Sequence, residues 1–127
     1  MILICGIPNA GKTTFSKRFE NVVHYDFVRG SNKTRMNKIV DMLHDDPTIC
    51  VEGVLGLASF RKRLVDASPI RNTCIWLNTP LDTCVERERT GRQRSENMVR
   101  WAYDDFEPPT SDEGWDEIII ITPESKE

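Results

Sequence analysis

The feature that most constrains this chain is an eight-residue stretch, Gly-Ile-Pro-Asn-Ala-Gly-Lys-Thr, at positions 6–13. It matches the pattern G-x-x-x-x-G-K-[ST] in full, and each fixed position has a physical reason. Gly6 and Gly11 allow the backbone to turn tightly with its N–H groups facing inward, which makes a nest for anions. Lys12 supplies a positive charge and Thr13 supplies a hydroxyl that suits Mg²⁺. The stretch therefore predicts a phosphate-binding loop.

The residues on either side of this loop fit the arrangement in which such loops occur. Residues 1–5 form a short apolar run that is typical of a buried strand. Residues 13–20 have helical spacing, because Phe15 and Phe19 lie four positions apart. Strand, loop and helix in this order are the supersecondary unit that presents a phosphate-binding loop.

The rest of the sequence alternates strand-like and helical segments. We expect strands at residues 1–5, 22–25, 48–52, 74–77 and 118–121, and helices at residues 13–20, 34–44, 57–67, 80–89 and 95–105. Apolar strands separated by helices predict a parallel sheet that helices cover on both faces. We therefore expect one α/β domain over residues 1–127, built on a five-stranded parallel sheet.

Composition sets the broad class of the protein. With 39% hydrophobic and 29% charged residues and a net charge of −3, the chain resembles an ordinary globular protein and not a bulk nucleic-acid binder. No apolar run has the length of a membrane span, and we expect a cytoplasmic protein with no membrane partner. The cysteines form no metal-binding or redox pattern and are expected to be buried. The core is also expected to hold the tryptophans, which are Trp76, Trp101 and Trp115.

Polar residues follow the second and third predicted strands, at the edge where parallel sheets bind ligands. Asp26 is a candidate general base toward an attacking hydroxyl, with a helix-capping aspartate as an equal alternative. Arg29 is a candidate clamp for a phosphate on the acceptor, or an exposed surface arginine. Glu52 is a candidate for holding Mg²⁺ or its waters, with a strand-terminal surface glutamate as the alternative.

A cluster of arginines follows the fourth strand and its helix, in the sequence R-E-R-T-G-R-Q-R at positions 87–94. Thr90 and Gly91 interrupt the cluster and predict a flexible turn. A mobile arginine lid over the phosphates would stabilise negative charge and exclude water. The alternative is a solvated helix end, in which Arg89 pairs with acidic neighbours such as Glu86.

The phosphate loop, the sequence Asp-x-x-Arg-Gly at positions 26–30 and the arginine cluster, in this order, resemble the kinase domain of polynucleotide 5′-hydroxyl kinases. Two further stretches, F-E-P-P-T at 106–110 and E-G-W-D-E-I at 113–118, resemble the closing segment of such domains. The resemblance extends over nearly the whole chain, from residue 3 to residue 121. It implies a P-loop kinase fold, ATP and Mg²⁺ as cofactors, and a 5′-hydroxyl nucleic-acid end as the acceptor.

The resemblance also implies roles for individual residues. ATP would be bound by Gly6, Asn9, Ala10, Gly11, Lys12, Thr13, Thr14, Arg87 and Arg92. Lys12, Asp26 and Arg92 would be catalytic, the acceptor would meet Asp26, Arg29 and Glu52, and Mg²⁺ would meet Thr13 and Glu52. The register of the lid leaves Arg89 and Arg94 as alternatives to the two lid arginines.

Two other functions stay open at this point. The chain is short between residues 37 and 49, which removes surface for a polynucleotide. A kinase of a small metabolite, nucleoside or nucleotide, such as a small hydroxyl-bearing phosphorylated acceptor, is therefore the alternative. The third hypothesis is a non-catalytic module that binds ATP, against which the candidate base at Asp26 argues.

Overall fold

The protein folds around a five-stranded parallel sheet, as seen in a computed structural model that describes residues 1–91 and 95–123. The strands are β1 (Ile2–Cys5), β2 (Val22–His24), β3 (Cys50–Glu52), β4 (Thr73–Leu77) and β5 (Glu117–Ile121). The helices are α1 (Lys12–Ser16), α2 (Asn32–Asp45), α3 (Ala58–Ala67), α4 (Leu81–Gly91) and α5 (Glu96–Asp105), with short 3-10 turns at Tyr25–Phe27 and Ser111–Glu113. The expected α/β fold class is confirmed.

The strand order is β2-β3-β1-β4-β5, with every neighbouring pair parallel. β1 lies at the centre, between β3 and β4, and its residues Leu3, Ile4 and Cys5 have no exposed surface. The chain leaves β1 toward β2 and β3 on one side and later returns to β4 and β5 on the other. This reversal of direction beside β1 opens a crevice at the carboxyl ends of the strands, where α/β sheets bind ligands.

Apolar side chains form a separate core on each face of the sheet. One core joins β1 and β3 to α2 and α3 through residues such as Met36, Ile39 and Leu64. The other joins the sheet to α1, α4 and α5 through Phe15, Cys84 and Val99, among others. The expectation of helices on both faces is therefore confirmed. All four cysteines are free and buried, also as expected.

α1 is shorter than the predicted helix at 13–20. Beyond Ser16 the backbone N–H groups of Lys17, Arg18 and Phe19 donate to carbonyls three residues back. These tighter bonds turn the chain before Asn21, whose φ of 55° lies in the left-handed region, and β2 starts at the next residue. The sharp return into the sheet ends the helix.

Three other expectations are wrong. Thr90 and Gly91 belong to α4 and are not a separate turn, since the Thr90 hydroxyl donates to the Arg87 carbonyl at 3.0 Å and supports the helix end. β5 is an edge strand with Ile120 55% exposed, although its sequence suggested burial on both faces. Trp101 is 61% exposed and lies outside the core.

None of the helices in the described part of the chain combines the length and the apolar content that crossing a bilayer requires.

Candidate functional site

A cavity of about 800 Å³ lies over the carboxyl ends of the strands. The phosphate loop forms its floor, and Asp26 and Glu52 reach its wall from the ends of the neighbouring strands. Leu77 and Ile121 contribute an apolar wall from β4 and β5. The described residues of the cavity thus offer three cations, two acids and an apolar surface to one ligand.

The phosphate loop is fixed by hydrogen bonds to α4 and to the residues before it. The Thr79 hydroxyl donates to the Ala10 carbonyl at 2.7 Å, and both residues are buried. Asn9 has a left-handed φ of 70°, and its side-chain amide donates to the Cys84 carbonyl and to Glu88 Oε1 at 3.1 and 3.0 Å. A loop held at this many points is preorganised before a ligand arrives.

The glycines of the loop are required by its geometry. A Cβ at Gly6 would lie 2.8 Å from the Leu77 carbonyl oxygen of the neighbouring strand, closer than carbon and oxygen can pack. Gly11 has a φ of 99°, in the left-handed region that favours glycine. Both positions therefore behave as the sequence pattern predicts.

Lys12 is 8% exposed, and its Nζ donates to the Ile7 carbonyl at 2.9 Å. Burial lowers the pKa of Lys12 from its ordinary value, while the negative charges of Glu52 and Asp26 partly offset that effect. The ammonium is therefore held at the floor of the cavity among opposite charges. It is positioned to receive phosphate oxygens, which would further favour its charged form.

Glu52 is the last residue of β3 and is 6% exposed, so the interpretation as a surface glutamate is wrong. His24 lies opposite it in the register of β2 and β3, and its Nδ1 is 2.5 Å from Glu52 Oε1. A buried carboxylate needs such partners to be tolerable. His24 has no motif around it, and only its place at a predicted strand end could have singled it out.

Asp26 lies in the 3-10 turn Tyr25–Phe27, exposed and at the cavity wall. It does not cap α2, because the N-cap is Ser31, whose hydroxyl accepts from the Thr34 N–H at 3.2 Å. The turn follows β2 directly, so Asp26 lies at the end of that strand and lines the cavity without capping a helix. Arg29 is exposed and lies outside the cavity wall.

The lid arginines fall into two groups. Arg87 lines the cavity, and its Nη1 donates to the Asn9 carbonyl of the phosphate loop at 2.7 Å. Arg89 pairs instead with Glu96 at 2.9 Å and with Glu86 at 3.4 Å, as the surface interpretation expected for that residue. Arg92 and Arg94 lie outside the described residues.

The hydroxyl of Thr13 and the carboxylate of Glu52 line the same cavity. Within residues 1–91 and 95–123, no group of three His, Cys, Asp or Glu side chains comes together as a metal site. Mg²⁺ usually takes one or two protein oxygens and completes its shell with phosphates and water. Thr13 and Glu52 are hard oxygen donors of this kind, so the residues present fit Mg²⁺ bound together with a nucleotide.

A buried ion pair between Arg61 and Glu113 escaped sequence reasoning. Arg61 has no exposed surface, and its guanidinium donates to both carboxylate oxygens of Glu113 at 2.8 and 2.9 Å. It also donates to the carbonyls of Leu55 and Glu107 at 2.8 and 2.7 Å. The pair therefore ties α3 to the loop after β3 and to the closing segment. An arginine on an amphipathic helix gives no signal of such burial.

Comparison with known proteins identifies the fold. The sequence matches no protein-family model and has no significant match among curated proteins. Its structure is similar to that of a gluconokinase from Sinorhizobium meliloti 1021, with a TM-score of 0.77 and 14% identity over 95% of this chain and 81% of that one. It is also similar to a sugar kinase from Janibacter sp. HTCC2649, with a TM-score of 0.71 and 10% identity over 95% and 83%. The chain has the P-loop kinase fold.

Proposed function

We propose that this protein is an ATP-dependent kinase that transfers the γ-phosphate of ATP to a hydroxyl group of a small acceptor. The observation that carries the proposal is that one cavity brings together the phosphate loop, Lys12, Asp26 and Glu52. A pure ATP binder needs the loop and the lysine but has no use for a carboxylate such as Asp26 at the cavity wall. Phosphoryl transfer uses all of these groups.

The charges of the cavity suggest how ATP would lie. Lys12, Glu52 and Asp26 line the same cavity, and the negative charges of the two acids partly offset the lowering of the Lys12 pKa by burial, so we place the acids and the ammonium at one end of the cavity. The γ-phosphate would lie at that end, among Lys12 and Mg²⁺. Leu77 and Ile121 form the apolar wall, against which the nucleoside would lie. ATP in this orientation presents its terminal phosphorus to an acceptor near Asp26.

The chemistry follows from these positions. Asp26 accepts the proton of the acceptor hydroxyl as the oxygen forms a bond to the γ-phosphorus. The bond from that phosphorus to the β,γ-bridging oxygen breaks, and ADP leaves with the electron pair. Thr13 and Glu52 would hold Mg²⁺, which neutralises charge on the phosphates when bound. Arg87, and Arg92 as the second lid residue, would bind phosphate oxygens.

Two observations support a small acceptor. The structural neighbours are named as a gluconokinase and a sugar kinase, which favours a small hydroxyl compound over the nucleic-acid end that the sequence resemblance implies. Arg29 follows Asp26 by three residues and is exposed outside the cavity wall, so its guanidinium can bind an anionic group of the acceptor. We therefore propose an acceptor that carries both a hydroxyl and a carboxylate or phosphate, and Arg29 as its anion-binding residue.

The test is transfer from γ-labelled ATP with Mg²⁺ to a panel of acceptors. The panel contains D-gluconate, sugar phosphates, nucleoside 3′-phosphates and a 5′-hydroxyl oligonucleotide. We expect label on a small acid or phosphate, lost in Asp26→Asn and kept in the control Asp45→Asn, an exposed acid at the end of α2. Label on the oligonucleotide alone would support the polynucleotide kinase instead. ATP binding without transfer to any member would contradict a kinase of either kind.

A further inference from the structure

The side chain of Arg18 is fixed at the cavity wall by an aromatic ring. Its guanidinium carbon lies 4.4 Å from the centroid of the Phe15 ring. Both residues line the cavity that holds the phosphate loop. The Arg18 side chain is exposed, and its guanidinium makes no hydrogen bond or ion pair with another residue in the described part of the chain. The guanidinium is thus held on one face and open on the other.

A guanidinium in this position is suited to an aromatic ligand. It is planar, weakly hydrated and stacks on the faces of aromatic rings. With Phe15 on one face, its second face can accept another flat ring. A nucleobase is such a ring, and every base offers a π-face for stacking regardless of its hydrogen-bonding pattern.

The position of Phe15 agrees with the expected place of the base. Phe15 packs in the same core as Leu77 and Ile121, which form the apolar wall of the cavity. Arg18 therefore shares the cavity with that wall, while Lys12 lies in the same cavity near Glu52 and Asp26. A nucleotide with its phosphates on the loop would extend its base toward Phe15 and Arg18.

We propose that Arg18 contacts the nucleobase of the donor nucleotide and that Phe15 orients its guanidinium for this contact. The proposal deepens the proposed function and rests on it. It assigns base recognition to a residue outside the phosphate-binding motif. Because stacking tolerates any base, it also implies that Arg18 contributes affinity for nucleotides without selecting ATP over GTP.

The test compares a ligand that has a base with one that has none. Dissociation constants are measured by calorimetry, with Mg²⁺, for ATP and for inorganic tripolyphosphate. The variants are Arg18→Ala and Arg18→Lys. The lysine variant keeps the positive charge but lacks the planar guanidinium group. Lys17→Ala is the matched control, because Lys17 is the neighbouring exposed cation and does not line the cavity. Thermal unfolding of each variant checks that the fold is intact.

We expect both Arg18 variants to bind ATP at least about fivefold more weakly, and tripolyphosphate within about twofold of the native chain. Equal weakening of both ligands in Arg18→Ala would overturn the proposal and make Arg18 a phosphate contact. Unchanged ATP binding would also overturn the proposal, and Arg18 would then serve only to shield the Phe15 ring from water. A native chain that binds neither ligand would refute the proposed function itself, which separates that failure from this one.

Discussion

Lys12 and Glu52 are buried charged residues, and each is stabilised by partners within this site. Each is less than a tenth exposed, and a buried charge is tolerable only when it has partners. Lys12 has a carbonyl at 2.9 Å and the two acids nearby, whereas Glu52 has His24 at 2.5 Å. The His24 ring thus contacts the Oε1 atom of Glu52, and Glu52 also lines the cavity.

The first prediction concerns His24. Loss of its hydrogen bond should let Glu52 rotate and weaken Mg²⁺ binding, since outer partners of metal ligands are typically worth 10- to 100-fold. We expect His24→Ala to raise the Mg²⁺ concentration for half-maximal transfer by about tenfold. In His24→Asn, the side-chain amide can replace Nδ1 in this hydrogen bond, so most of the Mg²⁺ affinity should be kept. Binding of Mn²⁺ with ATP, followed by electron paramagnetic resonance, gives the same comparison without turnover.

His44, near the end of α2, is the matched control for this prediction, because it is exposed and does not line the cavity. His44→Ala should leave the Mg²⁺ requirement unchanged. If His24→Ala behaves like His44→Ala, the hydrogen bond to Glu52 does not position a metal ligand.

The sequence identified the residues whose chemistry is tied to a motif or to a strand end. Lys12 and Thr13 belong to a fixed pattern, and Asp26 and Glu52 follow apolar strands. His24 and Arg18 have no pattern of their own, because their places depend on contacts with Glu52 and Phe15 that only the folded chain creates. Spacing therefore predicts the groups that we propose to meet a ligand better than those that orient them.

Among the secondary-structure elements, α4 determines how firmly the phosphate loop is held. The turn before it carries Thr79, and its first turns carry Thr83 and Cys84. The Thr79 hydroxyl donates to Ala10, whereas the buried Thr83 hydroxyl has no partner among the described residues. The two threonines lie four positions apart and so make a natural pair for comparison.

The second prediction uses this pair. Thr79→Val keeps the shape but leaves the Ala10 carbonyl without its donor, which should cost about 1–3 kcal/mol of unfolding free energy and weaken ATP binding. Thr83→Val removes an unpaired hydroxyl and should be neutral or stabilise by up to about 1 kcal/mol. Urea unfolding and ATP calorimetry measure both effects. Equal destabilisation by the two substitutions would show that the Thr79 bond does not hold the loop.

The third prediction concerns the ion pair between α3 and the closing segment. Burial raises the pKa of Glu113, but hydrogen bonds from Arg61 and Trp115 and the charge of Arg61 outweigh it, so the net shift is downward. A lowered folded pKa means that the stabilisation is present above the ordinary value of 4.5 and is lost as pH falls through the folded pKa. The native chain should therefore lose stability on acidification.

Glu113→Gln tests this directly. At pH 7 the variant leaves the Arg61 charge buried without a counter-charge, and we expect a loss of about 3–5 kcal/mol. The loss should shrink as pH falls, because protonated Glu113 resembles glutamine. Asp112→Asn, at the exposed neighbouring position, should follow the native curve throughout. Parallel curves for native and Glu113→Gln proteins from pH 7 to pH 3 would contradict the assignment. Denaturant unfolding across pH provides the measurement.

Periodicity predicted every helix and strand of the described chain, but it missed features that depend on neighbours. α1 ends at Ser16 because the chain must turn into β2, and no residue type in 17–20 forbids a helix. β5 is as apolar as a central strand, yet it has a partner on one side only. Position in the sheet, which local sequence does not contain, decides both outcomes.

At the scale of the whole molecule, the strand order explains why one cavity collects all the candidate groups. β1 lies between β3 and β4, so the phosphate loop emerges beside Glu52 on one side and beside the Leu77 wall on the other. An order that followed the sequence would have separated these groups. The alternating pattern predicted parallel strands, but their order rests on pairings between residues as distant as Leu3 and Cys74. The local spacing of apolar residues does not predict such long-range pairings.

The last prediction follows from linkage between binding and folding. A ligand at 100 times its dissociation constant stabilises the folded state by about 2.7 kcal/mol, which for a chain of this size raises the melting temperature by about 10 °C. We expect a rise of this order with ATP and Mg²⁺, and less than half of it when EDTA removes the metal. In Glu52→Gln, the rise with ATP should depend less on Mg²⁺ than in the native chain, whereas the exposed control Glu20→Gln should behave like the native chain. Differential scanning calorimetry measures these shifts. A Glu52→Gln protein whose rise depends on Mg²⁺ as strongly as that of the native chain would place the metal on groups other than Glu52.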